Sequence, residues 1–270
     1  MSEYATVFFM KGLLIRKAFY DGWDAILFLL IANIFLWAVG FGGFALVHLF
    51  SSQFCLSVFI LVLTVLSLGV VLLALSDELA LITSYAPLSF KRFFSSLKKH
   101  VIQGPLFILM IIFFLGAFPL AVHWYFSLGR VFGMIIGICM LWFTLVFLLS
   151  LQWFLPVKSQ LEKNFFKAVK KSFIIFFDNP GLSLFMLVYS LALLVISLVP
   201  FLLMPGISGI LLAQNEAFRF LMKKYDWMED NPEISFKTAR KEVPWDDILD
   251  DDYDVIDSRS LKNLFFPWRD

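Results

Sequence analysis

Five polar residues interrupt apolar stretches of this 270-residue chain, and they are the first candidates for chemistry: Asn33, Gln214, Asn215, Glu216 and Arg219. Glu216 and Arg219 stand three residues apart, a spacing that predicts an intrahelical ion pair. Ionisable groups at depth in a membrane usually face a bundle interior or a cavity, so one interpretation is an intramembrane polar site. The other is a helix at the membrane interface with its charges in water. Asn33 more often represents an interhelical contact than a ligand contact.

No motif for catalysis or cofactor binding appears in the sequence, which lacks GxxxxGK[ST], GxGxxG, GxSxG, HExxH and paired cysteines. His48, His100 and His123 have no His, Cys or acidic partner at the spacing that a helical metal site requires. Asp77 and Glu78 indicate solvated carboxylates at a helix end, with a cation or substrate contact as the alternative. We therefore expect no catalytic residue, cofactor, metal ion or nucleic-acid partner, and no enzymatic activity.

Two basic segments carry lysines at matching offsets. In the first, the offsets 0, 4, 7 and 8 are occupied by Lys91, Ser95, Lys98 and Lys99. In the second, 72 residues later, they are occupied by Lys163, Lys167, Lys170 and Lys171. These offsets share one helix face, and Phe residues dominate the other, as in helices that lie on a membrane. The lysines predict contacts with anionic lipid headgroups, or in the simpler alternative they only set topology.

The elements that position these residues are membrane helices. The chain is 60% hydrophobic and 16% charged, whereas about a quarter of the residues in a soluble protein are charged. A span needs about 20 apolar residues, and five stretches qualify: 25–50, 54–75, 104–123, 131–155 and 181–204. Basic interfacial helices are predicted at 5–20, 88–101 and 161–178. A unit of interfacial helix plus hairpin, used three times, predicts a sixth span at 206–222, although hydropathy alone indicates an interfacial helix there.

Charge distribution predicts the topology. Segments 1–24, 76–102 and 157–180 carry 3, 4 and 5 Lys or Arg residues, while the intervening turns carry only Arg130. By the positive-inside rule the three basic segments are cytoplasmic, and six crossings also return the C-terminus to the cytoplasm.

The C-terminal tail differs in composition from the membrane domain, residues 1–224. Residues 225–270 hold 13 acidic and 6 basic residues, which predicts a largely disordered tail. Near its end, four apolar residues form a candidate partner-contact peptide: Leu264, Phe265, Phe266 and Trp268.

Four segments resemble the YesL-like family of bacterial multi-pass membrane proteins. They are DGWDAILFLLIANIFLW, SFKRFFSSLKKH, LPVKSQLEKNFFKAVKKSFIIFFDNPGLSL and LVPFLLMPGISGILLAQNEAFRFLMKKY. The Pro-Thr-Ile-Gly-Pro-like turn of that family is absent, since Gly42-Gly43-Phe44 stands there, and the acidic tail is not part of the family pattern. The resemblance implies a helical membrane protein found alongside carbohydrate importers, and it supplies no catalytic residues.

Together these patterns predict an all-α integral membrane protein of about six spans in a bacterial cytoplasmic membrane, with both termini in the cytoplasm. The expected function is that of a non-enzymatic accessory or regulatory component of a transporter, with membrane transport subunits as partners. The alternative is a small transporter or lipid-handling bundle with a polar cavity around the sixth helix.

Overall fold

A computed structural model describes residues 3–234 and 243–259, and within these two ranges the chain is helical and contains no strand. Twelve helices are assigned there: α1 (Glu3–Asp24), α2 (Ile26–Leu49), α3 (Phe54–Thr83), α4 (Phe90–Lys99), α5 (Gln103–Ser127), α6 (Val131–Leu151), α7 (Phe154–Gln160), α8 (Phe165–Asp178), α9 (Pro180–Leu198), α10 (Gly206–Asp230), α11 (Trp245–Ile248) and α12 (Asp250–Asp257).

Five helical stretches of the described residues have the length and hydropathy of membrane spans: α2, α3, α5, α6 with α7, and α9. The prediction of an all-α multi-pass membrane protein is therefore confirmed. Their ends differ from the predicted ones in two places. Helix α3 continues past residue 75 to Thr83, and α9 ends at Leu198 rather than near residue 204. The predicted sixth span falls in α10, which is not among the five.

Glycines allow the spans to approach closely. A Cβ atom added to Gly69 of α3 would lie 2.6 Å from Cγ1 of Ile108 and nearer still to the backbone oxygen of Gly104 in α5. Contact at this distance requires a residue without a side chain on both helices, as at other small-residue crossings in membranes. The crossing therefore fixes how the α2–α3 hairpin packs against the α5–α6 hairpin.

Helix α10 returns the chain beside α9. At one end of the pair, Asn179 donates a 2.7 Å hydrogen bond to the hydroxyl of Tyr225 and accepts another of 2.7 Å from Lys224. At the other end, the backbone N–H of Gly206 donates a 2.9 Å hydrogen bond to Ser197 Oγ. Helices α9 and α10 therefore form an antiparallel pair, and α10 passes the level where α9 begins before it ends at Asp230.

Helix α10 packs inside the protein rather than on its surface. It contacts α1, α2, α3, α7, α9 and α11, and most of its residues from Gly206 to Leu221 are buried. The interpretation of 206–222 as an interfacial helix with its charges in water is therefore wrong for Glu216, which is 0% exposed. Whether this helix crosses the bilayer remains a prediction.

Helices α4 and α8 begin with side-chain caps. Ser89 Oγ accepts from the backbone N–H of Arg92, and Asn164 Oδ1 accepts from that of Lys167. Such caps satisfy N–H groups that have no partner within the helix. Buried residues recur at the same 72-residue offset: Phe93 and Ser96 of α4 with His100 directly after it, and Phe165, Ala168 and Ser172 of α8.

Two predictions about the chain ends need correction. Helix α1, predicted to be interfacial, is embedded in protein along one face, because Leu14 and Lys17 are completely buried where it packs against α10, α11 and α12. The tail, predicted to be disordered from residue 225, is helical to Asp230 and again in α11 and α12. Leu249 and Ile256 of the tail are buried against the membrane domain. The many acidic residues of the tail indicate disorder in the sequence, and they made this stripe of apolar residues hard to recognise.

Candidate functional site

Lys17 of α1 is the centre of a group of buried charges. Its Nζ atom donates a 2.6 Å hydrogen bond to Asp21, one helical turn further along α1. The same atom lies 3.5 Å from Oε1 of Glu216 and 3.8 Å from Oδ1 of Asp252. One ammonium group therefore faces three carboxyl groups, which belong to α1, α10 and α12.

Asp252 of the tail is 0% exposed and has several donors around it. Its Oδ2 accepts a 2.8 Å hydrogen bond from Lys223 Nζ, and its Oδ1 accepts from the Tyr85 hydroxyl at 2.9 Å and from Arg219 Nη1 at 3.3 Å. Arg219 also donates to the backbone oxygen of Thr83. The tail is thus held by one carboxylate between α10 and the connection that follows α3.

We call the seven residues of this arrangement the charge cluster: Lys17, Asp21, Tyr85, Glu216, Arg219, Lys223 and Asp252.

Tyr85 contacts both Lys17 and Asp252 of the charge cluster. Its backbone has a φ of 58°, a left-handed conformation that residues other than glycine rarely adopt. The ring lies against Lys17, with Nζ 4.0 Å from the ring centroid, a distance suited to a cation–π contact. Because its hydroxyl reaches Asp252, Tyr85 links α1 to the tail.

Glu216 is the unusual member of the charge cluster. Both of its carboxyl oxygens are buried and have no hydrogen-bond partner among the described residues. Burial raises the pKa of Glu216 well above its usual value and outweighs the attraction of the Lys17 ammonium, while the carboxylate of Asp21 raises it further. Glu216 is therefore a carboxyl group that is readily protonated, and its protonation would leave Lys17, Arg219, Lys223, Asp21 and Asp252 with a net charge of +1.

The partners of Glu216 favour their charged forms. Burial alone would lower the pKa of Lys17, but the carboxyl groups of Glu216 and Asp21 outweigh it, so the pKa lies above its ordinary value. Burial likewise would raise the pKa of Asp252, yet hydrogen bonds and charge from Lys223 and Arg219 hold this pKa below its ordinary value. The contact between tail and membrane domain is therefore an ion pair at neutral pH.

An open cavity of about 580 Å³ lies next to the charge cluster, between the end of α3, α4, α7 and α10. We call it the α3–α4 cavity. Its cationic lining residues are Arg92, Lys99 and Arg219, and several hydroxyl groups and the Gln160 amide lie among them. Arg219 therefore contacts the tail and also lines this cavity.

The carboxylates of α3 at this cavity are paired rather than solvated, which corrects the interpretation of Asp77 and Glu78. Glu78 accepts hydrogen bonds from Arg92 at 2.7 and 3.0 Å. Asp77 Oδ2 accepts from Ser96 at 2.6 Å, lies 2.8 Å from His100 Nε2, and forms a 3.3 Å ion pair with Lys99. These contacts hold α4 against the end of α3.

The other predicted polar residues make their hydrogen bonds with groups other than Glu216. Asn33 binds the turn before α10, donating to the backbone oxygens of Leu203 and Pro205 at 2.9 and 3.0 Å and accepting from the N–H of Ser208 at 3.0 Å. Asn215 donates to Ser76 Oγ at 3.3 Å and accepts from the Gln160 amide at 2.9 Å. Gln214 is buried on the same helix. These are contacts between helices, so the structure does not gather the predicted residues into one site.

The predicted lipid-contacting lysines are mainly exposed. This holds for six of the seven: Lys91, Lys98, Lys99, Lys163, Lys167 and Lys170. Lys171 is half-buried and forms a 3.0 Å ion pair with Glu162. Their contact with lipid remains a prediction. The predicted partner-contact residues Leu264, Phe265, Phe266 and Trp268 lie outside the described residues.

Five members of the charge cluster were not among the predicted site residues: Lys17, Asp21, Tyr85, Lys223 and Asp252. Two signals for this group exist nonetheless. Lys17 occupies a position on the apolar stripe of α1, seven residues after Met10, so its side chain must point inward. In the tail, Trp245, Leu249 and Ile256 recur at helical spacing within the acidic run. That pattern indicates a helix with one docked face.

No family model matches this chain, and no curated protein or solved structure gave a match. Within the described residues, no group of three or more His, Cys, Asp or Glu residues is placed to hold a metal ion. The resemblance to YesL-like proteins therefore remains a prediction.

Proposed function

We propose that this chain is a non-enzymatic protein of the bacterial cytoplasmic membrane that acts as an accessory or regulatory component of a membrane transport system, with its docked acidic tail as the regulated element. The burial of Asp252 among Lys223, Arg219, Tyr85 and Lys17 is the observation that supports this proposal most directly. It adds a charge-dependent contact to the apolar packing of Leu249 and Ile256 that also holds the tail.

Stability alone does not account for such an arrangement. Burying two opposite charges costs desolvation energy that their attraction often only offsets, so a buried ion pair adds little net stability compared with apolar packing. Removal of one partner, however, leaves an uncompensated charge and costs about 3–5 kcal/mol. A contact of this kind suits a segment that must be held in one place and released by a change in charge.

The proposed orientation follows from contacts and charge together. Arg16 of α1 forms a 2.7 Å ion pair with Asp257 of α12, and Arg259 forms another with Asp24, so the N-terminal helix and the tail adjoin each other. Asp252 of the tail contacts Arg219, which lines the α3–α4 cavity together with α4. Lys224 contacts Asn179 at the end of α8. The N-terminal helix and the tail therefore lie on the side that carries the basic helices α4 and α8. We assign that side to the cytoplasm by the positive-inside rule. The lysine faces of α4 and α8 would then contact anionic headgroups of the inner leaflet.

The link to transport, and to carbohydrate uptake in particular, rests on the resemblance to YesL-like proteins. The aromatic peptide of residues 264–268 is the proposed contact for transport subunits.

The test compares partner recovery from native membranes for two adjacent charge-neutralising variants. Asp252→Asn removes the buried charge that holds the tail, whereas Asp251→Asn removes an exposed charge on the same helix. After mild crosslinking, subunits of a membrane transport system should be recovered with the wild-type chain, and their amount should change several-fold in Asp252→Asn but not in Asp251→Asn. Recovery of no transport subunit with any of the three chains would contradict the proposal.

A second candidate function, a lipid-handling or small transport bundle, is favoured by the α3–α4 cavity, which is within the range of ligand sites in size and is lined by Arg219 of the predicted sixth helix. In proteoliposomes, this function predicts faster movement of fluorescent phospholipids between leaflets. The rate should fall in Arg92→Gln, which changes the cavity, and not in Lys91→Gln, which changes the adjacent residue outside its lining. An unchanged rate relative to empty vesicles excludes lipid scrambling.

A further inference from the structure

Arg219 contacts the tail and also lines the α3–α4 cavity. Its guanidinium group contacts Asp252 of the tail and the backbone of Thr83, and the residue also lines the α3–α4 cavity. An anion that binds in the cavity beside Arg219 would attract the same guanidinium group that pairs with the tail carboxylate. The two sites are therefore connected through one side chain.

The α3–α4 cavity has the properties of an anion site. Arg92 and Lys99 line it together with Arg219, and their side chains are 43% and 62% exposed, so they reach solvent despite their ion pairs. Its acidic lining residues, Asp77 and Glu78, are each already paired with one of these cations. The lining thus carries three positive and two negative charges. Guanidinium groups bind phosphate through paired, charge-assisted hydrogen bonds, and hydroxyl groups such as those of Ser84 and Ser95 supplement them.

We propose that the α3–α4 cavity binds a phosphate group, carried by a lipid headgroup or by a free phosphate, and that this binding weakens the docking of the tail through Arg219. The inference rests on the proposed role of the tail as the regulated element and adds the ligand that acts on it. A lipid source fits the position of the cavity, because α4 lies beside a membrane span. Phe93 of α4 packs edge-on against Phe28 at the start of α2. A soluble source fits its open mouth.

Reciprocity makes the coupling measurable from both directions. If the ligand lowers the affinity of the membrane domain for the tail by some factor, removal of the tail contact must raise the affinity for the ligand by the same factor. Asp252→Asn should therefore bind phosphate several-fold more tightly than the wild-type chain. Asp251→Asn, which leaves the buried contact intact, should bind like the wild-type chain.

The experiment uses the full chain in nanodiscs and measures two quantities. The first is binding of inorganic phosphate to phosphatidylcholine nanodiscs, compared with the effect of replacing part of the lipid by phosphatidic acid. The second is hydrogen exchange of the backbone amides in 245–257, which reports tail docking. Exchange that rises with inorganic phosphate identifies a soluble source, and exchange that rises only with phosphatidic acid identifies a lipid source. Phosphatidylcholine alone is the common baseline.

A set of variants distinguishes ligand binding in the α3–α4 cavity from the effect of the ligand on tail docking. Arg92→Gln and Lys99→Gln change the cavity without touching the tail, and each should weaken ligand binding by about tenfold or more, since each removes a charge-assisted hydrogen bond. Lys91→Gln and Lys98→Gln lie on the same helix outside the lining and should have no effect on binding. Binding with unchanged exchange in 245–257 would overturn the coupling, and no binding in the wild-type chain or Asp252→Asn would overturn the site.

Failure of the proposed role of the tail as the regulated element gives a different result. In that case the exchange of 245–257 in the wild-type chain, without ligand, would already equal the exchange in Asp252→Asn. The tail would then not be held by the buried carboxylate at all. This comparison needs no ligand and is made first.

Discussion

Replacement of Lys17 by methionine tests the central claim that one buried ammonium group holds three carboxyl groups together. The Lys17 side chain is 0% exposed, and its Nζ lies 2.6, 3.5 and 3.8 Å from oxygens of Asp21, Glu216 and Asp252. Methionine has nearly the same length, so little cavity forms, and the loss is mainly electrostatic. Breaking a buried ion pair by removing one partner costs about 3–5 kcal/mol.

Two features of the cluster set where in that range the value should fall. The pKa of Glu216 is raised, so this carboxyl group can take up a proton when it loses the Lys17 partner, which limits the cost. Asp21 is only 5% exposed and loses its 2.6 Å partner, so it carries most of the penalty. We therefore expect about 3 kcal/mol, near the lower end. For a domain of this size, about 1 kcal/mol corresponds to a shift of roughly 2–4 °C in Tm, so the Tm should fall by about 6–12 °C.

The measurement is thermal unfolding in detergent, followed by tryptophan fluorescence. The matched control is Arg16→Met, one residue earlier on α1, which removes an ion pair with Asp257 whose side chains are 47% and 61% exposed. Exposed pairs contribute about 0–1 kcal/mol, so this control should change the Tm by a few degrees at most. The double variant Lys17→Met, Asp21→Asn should recover part of the loss. Equal Tm values for Lys17→Met and Arg16→Met would refute the arrangement of the cluster.

Three further predictions concern separate parts of the fold. Asn33→Ala removes three hydrogen bonds to the turn before α10 and should lower the free energy of unfolding by about 2–4 kcal/mol, measured by the same thermal assay. Glu216→Gln removes a carboxyl group whose folded-state pKa is raised, so the contribution of Glu216 to stability is greatest below the ordinary Glu pKa and falls as pH rises above it. The difference in stability between the wild-type chain and Glu216→Gln should follow this fall, and identical pH profiles would contradict it. Gly69→Val should destabilise by about 1–3 kcal/mol through overlap with α5, whereas Gly116→Val, which has open space around it, should not.

The sequence predicts the apolar spans well because their signal is additive and local. A run of about 20 apolar residues has few alternatives to a membrane helix, so α2, α5 and α6 begin and end near the predicted residues. The ends that differ are set by tertiary contacts. Helix α3 continues to Thr83 because its last two turns pack against α4, α7 and α10, where Ser76 and Glu78 are buried. Composition gives no indication of such contacts.

The charge cluster was harder to predict because its members come from distant parts of the chain. Lys17, Glu216 and Asp252 meet only when α1, α10 and α12 are packed together, and each has an ordinary interpretation alone. A lysine on a basic N-terminal helix indicates a membrane surface, and an aspartate in an acidic run indicates disorder. The intrahelical pair predicted for Glu216 and Arg219 was the natural local choice. In the structure Arg219 contacts Asp252, and Glu216 lies beside Lys17.

The contact between α1 and the tail bears on the predicted topology independently of the charge counts. From charge counts, the tail returns to the cytoplasm only if 206–222 crosses the membrane. In the structure the tail lies on the side where α9 begins, because α10 runs back along α9 to that level, whatever depth their connecting turn reaches. Asn33 holds that turn only seven residues from the start of α2, so α9 and α10 need not extend as far as the α2–α3 hairpin does. The ion pair between Arg16 and Asp257 fits this arrangement, since α1 and α12 adjoin each other. A polar helix such as α10 can pack in that position because neighbouring helices, rather than lipid, surround its Asn215 and Glu216.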